Sequence, residues 1–228
     1  MIFERPELYD CEPAERLLKK HLGQTYPRQI QFSGVTLELA KNVFAPDLTN
    51  TSVLMADCLE QYELKNTWRV LDLFTGSGLF AILAAKKGCR VLGVDKETNA
   101  IRCAQLNSAL NHTTDLVEFR LGDALTCLHP DETFDLILAC PPLLPGTPSS
   151  PLETALVDVG LTATLGVIES LPSRLTPRGL ALIMISDVFQ RLGHDLRSIA
   201  RALNMNIKQV SAKTMPYETY SIHEFTRN

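Results

Sequence analysis

The sequence predicts an α/β protein built on one largely parallel sheet with helices on both faces. Three observations carry this. From Trp68 onward, short apolar runs alternate with stretches of helical length, the pattern of repeated strand–helix–strand units. The runs WRVLDLF, RVLGVD, FDLILA and GLALIMIS are apolar almost throughout, as strands covered on both faces must be. The final segment, NIKQVSAKTMPYETYSIHEFTRN, holds two strand-like runs around Met215-Pro216-Tyr217 with no helix between them, so that pair is antiparallel.

The elements follow in chain order. Residues 7–22 read as a helix with Leu17, Leu18 and Leu22 on one side and Gly23 as its stop. QIQFSGVTLELA reads as a hairpin turning at Ser33-Gly34. VFAPDLTNTS is turn-rich and leads into a helix from Thr51 to Tyr62. WRVLDLF is the first strand of the parallel set; glycines follow, then the helix LFAILAAKKG. RVLGVD and ETNAIRCAQLNSALN are the second strand and its helix, LVEFRL the third strand, FDLILA the fourth. CPPLLPGTPSSP is a loop or lid. A long helix is expected over residues 153–175, then the strand GLALIMIS and one helix over VFQRLGHDLRSIARAL. Residues 1–45 are expected to form an N-terminal helix and hairpin, and residues 46–228 the main domain. No repeat or linker interrupts the chain.

The 228 residues suffice for one full core, and 45% apolar with 21% charged residues is an ordinary globular composition. A net charge of -4 provides no broad basic field, which argues against a nucleic-acid partner. The six cysteines show no CxxC pair and no Cys/His ligand spacing, so no metal is expected and the thiols read as small buried side chains. MIFERPELYD has charges where a signal peptide needs an apolar core, and no apolar stretch approaches membrane-spanning length. A cytoplasmic location without membrane attachment is the expectation.

Chemistry concentrates in VLDLFTGSGLFA. Gly76 and Gly78 let the backbone turn tightly between strand and helix and let a ligand approach closely. The helix behind offers free N–H groups. As text, Gly76-Ser77-Gly78-Leu79-Phe80-Ala81 also fits the GxGxxG/A dinucleotide fingerprint. Three aspartates sharpen the reading: Asp72 before the glycines, Asp95 ending the second strand, and Asp123 after the third. All three stand at the carboxyl ends of consecutive strands, where open α/β sheets bind ligands. A nicotinamide enzyme has no need of the acids at 72 and 123.

At these residues the chain resembles the class I S-adenosylmethionine (SAM) methyltransferases. DLFTGSG is similar to that family's first motif, GVD and GDA to its second and third, and the resemblance covers residues 29–228. It implies a Rossmann-like seven-stranded sheet of order 3-2-1-4-5-7-6 with strand 7 antiparallel. It also implies SAM as cofactor. Asp72 and the turn Phe74, Thr75, Gly76 and Gly78 would face its methionine part, with Thr51 at its carboxylate. Asp95, with Lys96 beside it, would take the ribose, and Asp123 with Ala124 the adenine. Phe44 is a candidate to close over the cofactor.

The segment NVFAPDLTNTSVLMADCL resembles the small-domain subgroup, which includes release-factor glutamine methyltransferases and ribosomal RNA guanine methyltransferases. There the fourth strand ends in [N/D/S]-P-P-[Y/F/W], whose first side chain and a neighbouring carbonyl accept the hydrogens of a planar NH2 while the aromatic ring stacks on it. Here the motif reads Cys140-Pro141-Pro142-Leu143. A thiol cannot reproduce an amide oxygen and leucine cannot stack as a ring. Cys140 is then a small residue at a strand end, the shaper of a more apolar acceptor pocket, or a thiol nucleophile. Asp187, Glu153, Tyr217 and His223 are further candidates for the substrate side, whereas His21, His112, His129 and His194 are expected to face solvent. The expected activity is methyl transfer, N-methylation foremost, to a small molecule or protein side chain. The alternatives are SAM-dependent cyclisation or elimination, or a non-catalytic partner subunit. A protein acceptor is expected to require a partner subunit or the lid, and a homo-oligomer is a further possibility.

Overall fold

The structure, a computed structural model, describes residues 1–124 and 126–228. It opens with strand β1 (Ile2–Phe3) and helix α1 (Glu12–Leu22), then the hairpin β2 (Arg28–Phe32) and β3 (Val35–Leu39), and helix α2 (Asn50–Glu60). The alternating part follows as β4 (Arg69–Leu73), α3 (Leu79–Lys86), β5 (Arg90–Asp95), α4 (Thr98–Leu110), β6 (Val117–Leu121) and β7 (Phe134–Ala139). Next come β8 (Leu144–Thr147), β9 (Val157–Asp158), α5 (Thr162–Arg174) and β10 (Leu175–Ser186). The chain ends with α6 (Val188–Arg191), α7 (Leu196–Ala202), β11 (Met205–Thr214) and β12 (Thr219–Arg227).

Seven strands form one sheet in the order β6-β5-β4-β7-β10-β12-β11. β12 runs antiparallel to β10 and β11, and the other pairs are parallel. Counted within this sheet, the order is the 3-2-1-4-5-7-6 expected. Side chains of a strand alternate between faces. Val70, Leu136, Leu138, Leu182 and Met184 therefore meet α2, α3 and the hairpin on one face. Leu71, Leu73, Ile137, Ile183 and Ile185 meet α5, α6 and α7 on the other. Full burial of each such side chain stabilises by roughly 1.5–3 kcal/mol.

The hairpin shares the first of these cores. Val35, Leu37 and Leu39 are fully buried in it. Its turn has Ser33 and Gly34 both at positive φ, the geometry of a tight two-residue hairpin loop. Two side chains of α4 grip the exposed edge of β3. Asn107 Oδ1 accepts the Glu38 N–H (2.7 Å), and Asn111 takes both the N–H and the carbonyl of Thr36.

Several sequence expectations are corrected. The first helix begins at Glu12, after a single 3-10 turn over Pro6–Leu8, and Leu22 stands 61% exposed at its end rather than on its packed side. The long helix over 153–175 exists only as α5. Gly160 and Leu161 adopt left-handed φ values of 59° and 55°, which no continuing helix allows, and the Asp158 carboxylate accepts the Ala163 N–H at the new start. The helix after β10 is two helices. Gly193 breaks it at φ 92°, and Asp195 caps the second by accepting the Arg197 N–H. The lid is likewise more regular than a loop, since β8 pairs antiparallel with β1 and parallel with β9. Among the described residues no helix is long and apolar enough to cross a membrane.

His21, expected in solvent, is buried. Its Nδ1 lies 2.9 Å from the Leu17 carbonyl and its Nε2 accepts the Ala45 N–H, so the ring is neutral with the proton on Nδ1. It packs on Phe44, with ring centroids 5.1 Å apart. Burial lowers its pKa below the ordinary value. The unfolded chain then binds more protons than the folded one, so this contribution is complete above pH about 6.5 and is lost as pH falls. We expect the melting temperature to drop between pH 7.5 and 5.5 more steeply in the wild type than in His21→Gln. Parallel curves would remove His21 from the acid-sensitive groups.

Candidate active site

A cavity of about 450 Å3 opens above the carboxyl ends of β4, β5, β7 and β10. The glycine turn forms one wall. Phe74 leaves β4 at φ 62° and Gly76 follows at φ 54°. A non-glycine residue held there is strained, and such strain persists where the surroundings enforce it. A Cβ on Gly76 would come only within 3.9 Å of one atom, the Phe74 carbonyl oxygen, so the bare backbone faces open space. Gly78 obeys another constraint. At φ 82°, its Cβ would lie 3.0 Å from the Ala104 Cβ, so it lets α4 pack against the turn and is not part of the cavity wall.

Asp95 holds the turn from the next strand. One carboxylate oxygen accepts the Gly76 N–H (2.9 Å), the other the Glu97 N–H (3.0 Å) at the start of α4. Burial raises its pKa against these hydrogen bonds. Each oxygen keeps a further acceptor position, and Asp95 and Lys96 both line the cavity.

Asp72 turns away from the cavity. It shares the face of β4 with Val70, under the start of α3, where one oxygen accepts the Thr75 hydroxyl (2.6 Å) and the Ala81 N–H (3.0 Å). It therefore answers free N–H groups of a helix start, a favourable place for a carboxylate. Burial nevertheless raises its pKa to about 7, and its other oxygen is buried with no hydrogen-bond partner among the described residues. Asp123 and Ala124 also stand outside the cavity wall, beyond β6. Their loop is pinned beside Asp95 by the Gly122 N–H on the Asp95 carbonyl (2.9 Å).

The facing walls come from distant parts of the chain. Thr51 lines the cavity at the start of α2, but the helix is capped by Thr49, whose hydroxyl accepts the Ser52 N–H. Phe44 lines it beside Ala14 and Leu17 of α1. Tyr9 ties this segment to the lid, its hydroxyl 2.8 Å from the Pro145 carbonyl and 2.7 Å from that of Glu4.

Cys140, Pro141, Pro142 and Leu143 border the same cavity. Burial, then the nearby Asp72 charge, push the Cys140 thiol far above its ordinary pKa. This direction favours the neutral thiol and counts against the nucleophile reading, because the thiolate is the attacking form. Tyr217 lines the cavity; Glu153, Asp187 and His223 do not. Glu153 is held at about 2: burial opposes this, but the Met1 amino group 2.7 Å away and the Ser149 N–H and hydroxyl outweigh it. Asp187 pairs with Arg191 at 2.6 Å. His223 lies 2.9 Å from the Ser221 hydroxyl, and burial lowers its pKa to about 4.

Residues that sequence reading missed are Glu218 and Tyr220, with Met184 and Met215 beside them. Glu218 is buried, accepting from the Ser186 and Tyr220 hydroxyls. The only sequence signal was a glutamate between two tyrosines at the terminal hairpin.

A parallel sheet whose glycine turn and neighbouring carboxylate meet in a cavity at the strand ends defines a Rossmann-like enzyme that holds a nucleoside-bearing cofactor. A family model described as "Methyltransferase domain" matches residues 64–226, more than half of the chain. The chain belongs to that family and is a SAM-dependent methyltransferase. It is 28% identical over 211 residues to the release factor glutamine methyltransferase of Thermodesulfovibrio yellowstonii, covering 86% of this chain and 74% of that protein. It is 40% identical over 93 residues to the ribosomal protein L11 methyltransferase of Desulfitobacterium hafniense, a match of 40% of this chain and only 29% of that protein. The fold superposes on M. jannaschii TYW2 in complex with AdoMet with a TM-score of 0.57 at 14% identity, over 90% of this chain and 89% of that one.

Proposed function

We propose that the protein methylates a nitrogen of a small molecule or a protein side chain, the acceptor lying against Cys140–Leu143. The observation that carries this is the continuity of one cavity from the Phe74–Gly76 turn and Asp95 to Cys140, Pro142 and Leu143. The names of the release-factor and L11 relatives support a protein acceptor.

SAM supplies a methyl group already activated on a cationic sulfur. The residues present fit it: bare backbone at Gly76, two carboxylate oxygens with spare acceptor positions at Asp95, and hydroxyls and N–H groups at the start of α2 for a carboxylate. In this reading Asp95 takes the ribose hydroxyls, Thr51 and its neighbours the methionine carboxylate, and Asp123 with Ala124 the adenine. Asp72 and Gly78 act from behind, shaping the turn. What remains for the protein is alignment: it holds the acceptor nitrogen in line with the bond to be broken and keeps water out.

The first experiment incubates the enzyme with methyl-tritiated SAM and a cell extract and separates small-molecule, protein and nucleic-acid fractions. Label in the first or second supports the reading. SAM consumed with no labelled acceptor overturns it in favour of cyclisation or elimination.

Cys140→Asn separates cofactor from acceptor. The added amide brings unpaired polar atoms into an apolar pocket. We expect SAM affinity by calorimetry to stay within about twofold, and transfer to the native acceptor to fall at least about tenfold, a cost near 1.4 kcal/mol. Lost SAM binding would place Cys140 in the cofactor site instead.

A further inference from the structure

We propose that Glu218 anchors the acceptor and that the acceptor is an amine, whose N–H proton Glu218 receives. This rests on the methyl-transfer reading above and names its acceptor class.

The sheet brings Glu218 to the acceptor side. Ala139 of β7 pairs with Ile183 of β10, so Cys140 adjoins Met184, and both project from the face that carries Leu138 and Leu182. Ser186 lies on that same face two residues beyond Met184, about 6.6 Å at the strand rise. Ser186 pairs with Tyr220 of β12. The Ser186 and Tyr220 hydroxyls then hold the two oxygens of Glu218, a residue of the cavity wall.

Charge selects the ligand. Glu218 is only 8% exposed and forms no ion pair among the described residues. The nearby cation of α6, Arg191, is committed to Asp187 at 2.6 Å. A buried carboxylate without a cation is costly, and an ammonium or amine N–H supplies what it lacks. Two hydroxyls leave each oxygen one acceptor position for that N–H. The rings of Tyr217 and Tyr220 line the same space and tolerate a cation against their faces. An anionic group placed directly against Glu218 is repelled. Planar amides find neither the amide oxygen nor the ring that Cys140 and Leu143 replace. Burial also raises the Glu218 carboxyl above the ordinary carboxylate range, which suits it to hold a proton.

The step balances as follows. A bound ammonium first gives one proton to water by way of a Glu218 oxygen, which frees the nitrogen lone pair; that lone pair forms the N–C bond while the C–S bond breaks, its electron pair passing to sulfur. The positive charge moves to nitrogen, one N–H proton passes to a Glu218 oxygen, and from there to water.

The test uses the full chain, methyl-tritiated SAM and a cell extract, with the labelled product isolated and its methylated atom assigned by mass spectrometry. The expected product is an N-methyl amine. Glu218→Gln should fold, by its melting curve, and bind SAM within about twofold of wild type, yet transfer at least about 100-fold more slowly, the scale of a lost proton acceptor. The unmethylated amine should bind the S-adenosylhomocysteine-loaded variant at least about tenfold more weakly, as a lost charged hydrogen bond requires. If Glu218→Gln does not fold, Glu218→Asp, which keeps the charge and withdraws it by one methylene, should show about a tenfold loss on the same readouts. Label on oxygen, sulfur or a nucleic-acid base overturns the inference, as does wild-type transfer by a folded variant; both leave methyl transfer standing. A wild-type enzyme that binds SAM and labels nothing overturns the methyl-transfer reading, and this inference falls with it.

Discussion

Asp95→Ala is expected to weaken SAM binding by about 1–3 kcal/mol, roughly 5- to 150-fold, with little change in the acceptor half of the cavity. The carboxylate does two things at once. It pins the Gly76 N–H at 2.9 Å, which fixes the turn, and the Glu97 N–H at 3.0 Å, which starts α4. In the proposed reading its remaining acceptor positions take two ribose hydroxyls. Alanine removes all of this. Asp95→Asn keeps one acceptor oxygen but sets an NH2 against one of the two N–H groups, so its loss should be intermediate. Titration calorimetry at pH 7.5 is the measurement. Wild-type affinity in Asp95→Ala would remove the ribose assignment, and a uniform loss of folding in both variants would reduce Asp95 to a structural cap.

Asn107→Ala should be the more damaging change to the fold. Asn107 is fully buried and bridges two elements: its amide donates to the Ser77 carbonyl in the glycine turn (2.9 Å), and its oxygen accepts the Glu38 N–H of β3 (2.7 Å). Alanine strands both backbone groups, at about 1–3 kcal/mol each. The expected destabilisation is about 2–6 kcal/mol, a fall of several degrees or more in melting temperature for a chain of this size. Because Ser77 belongs to the turn, SAM affinity should fall as well. Calorimetric melting with and without SAM reads both effects. A shift within about 1 °C would mean that water replaces the side chain at both contacts.

The alternation of strands and helices was legible because a sheet covered on both faces forces continuous apolar runs, and a helix between parallel strands forces their spacing. The terminal hairpin was legible for the opposite reason, since Met215-Pro216-Tyr217 leaves no room for a crossover. The interruptions were not. Residues 153–175 have adequate helical composition, but β9 pairs with β8 at Val157–Asp158 and the left-handed backbone at Gly160 and Leu161, with Asp158 capping from outside, delays the helix to Thr162. His21 looked like a solvated histidine beside lysines. What buries it is the Ala45 N–H and the Phe44 ring, 24 and 23 positions away along the chain.

The site divides in the same way. Local sequence sufficed for the glycine turn, for Asp95 at the end of its strand and for the Cys140–Leu143 segment, because a βα turn and a strand end place side chains through backbone geometry alone. Tertiary structure decided that Asp72 looks inward to the start of α3, because a free helix N–H and the Thr75 hydroxyl claim its carboxylate first. It also decided that α1 and Phe44 wall the cavity and that Glu218 joins Cys140–Leu143 in its lining. These depend on strands paired across dozens of residues, Ala139 to Ile183 and Ser186 to Tyr220, and pairings at that separation are set by which apolar faces must be covered together.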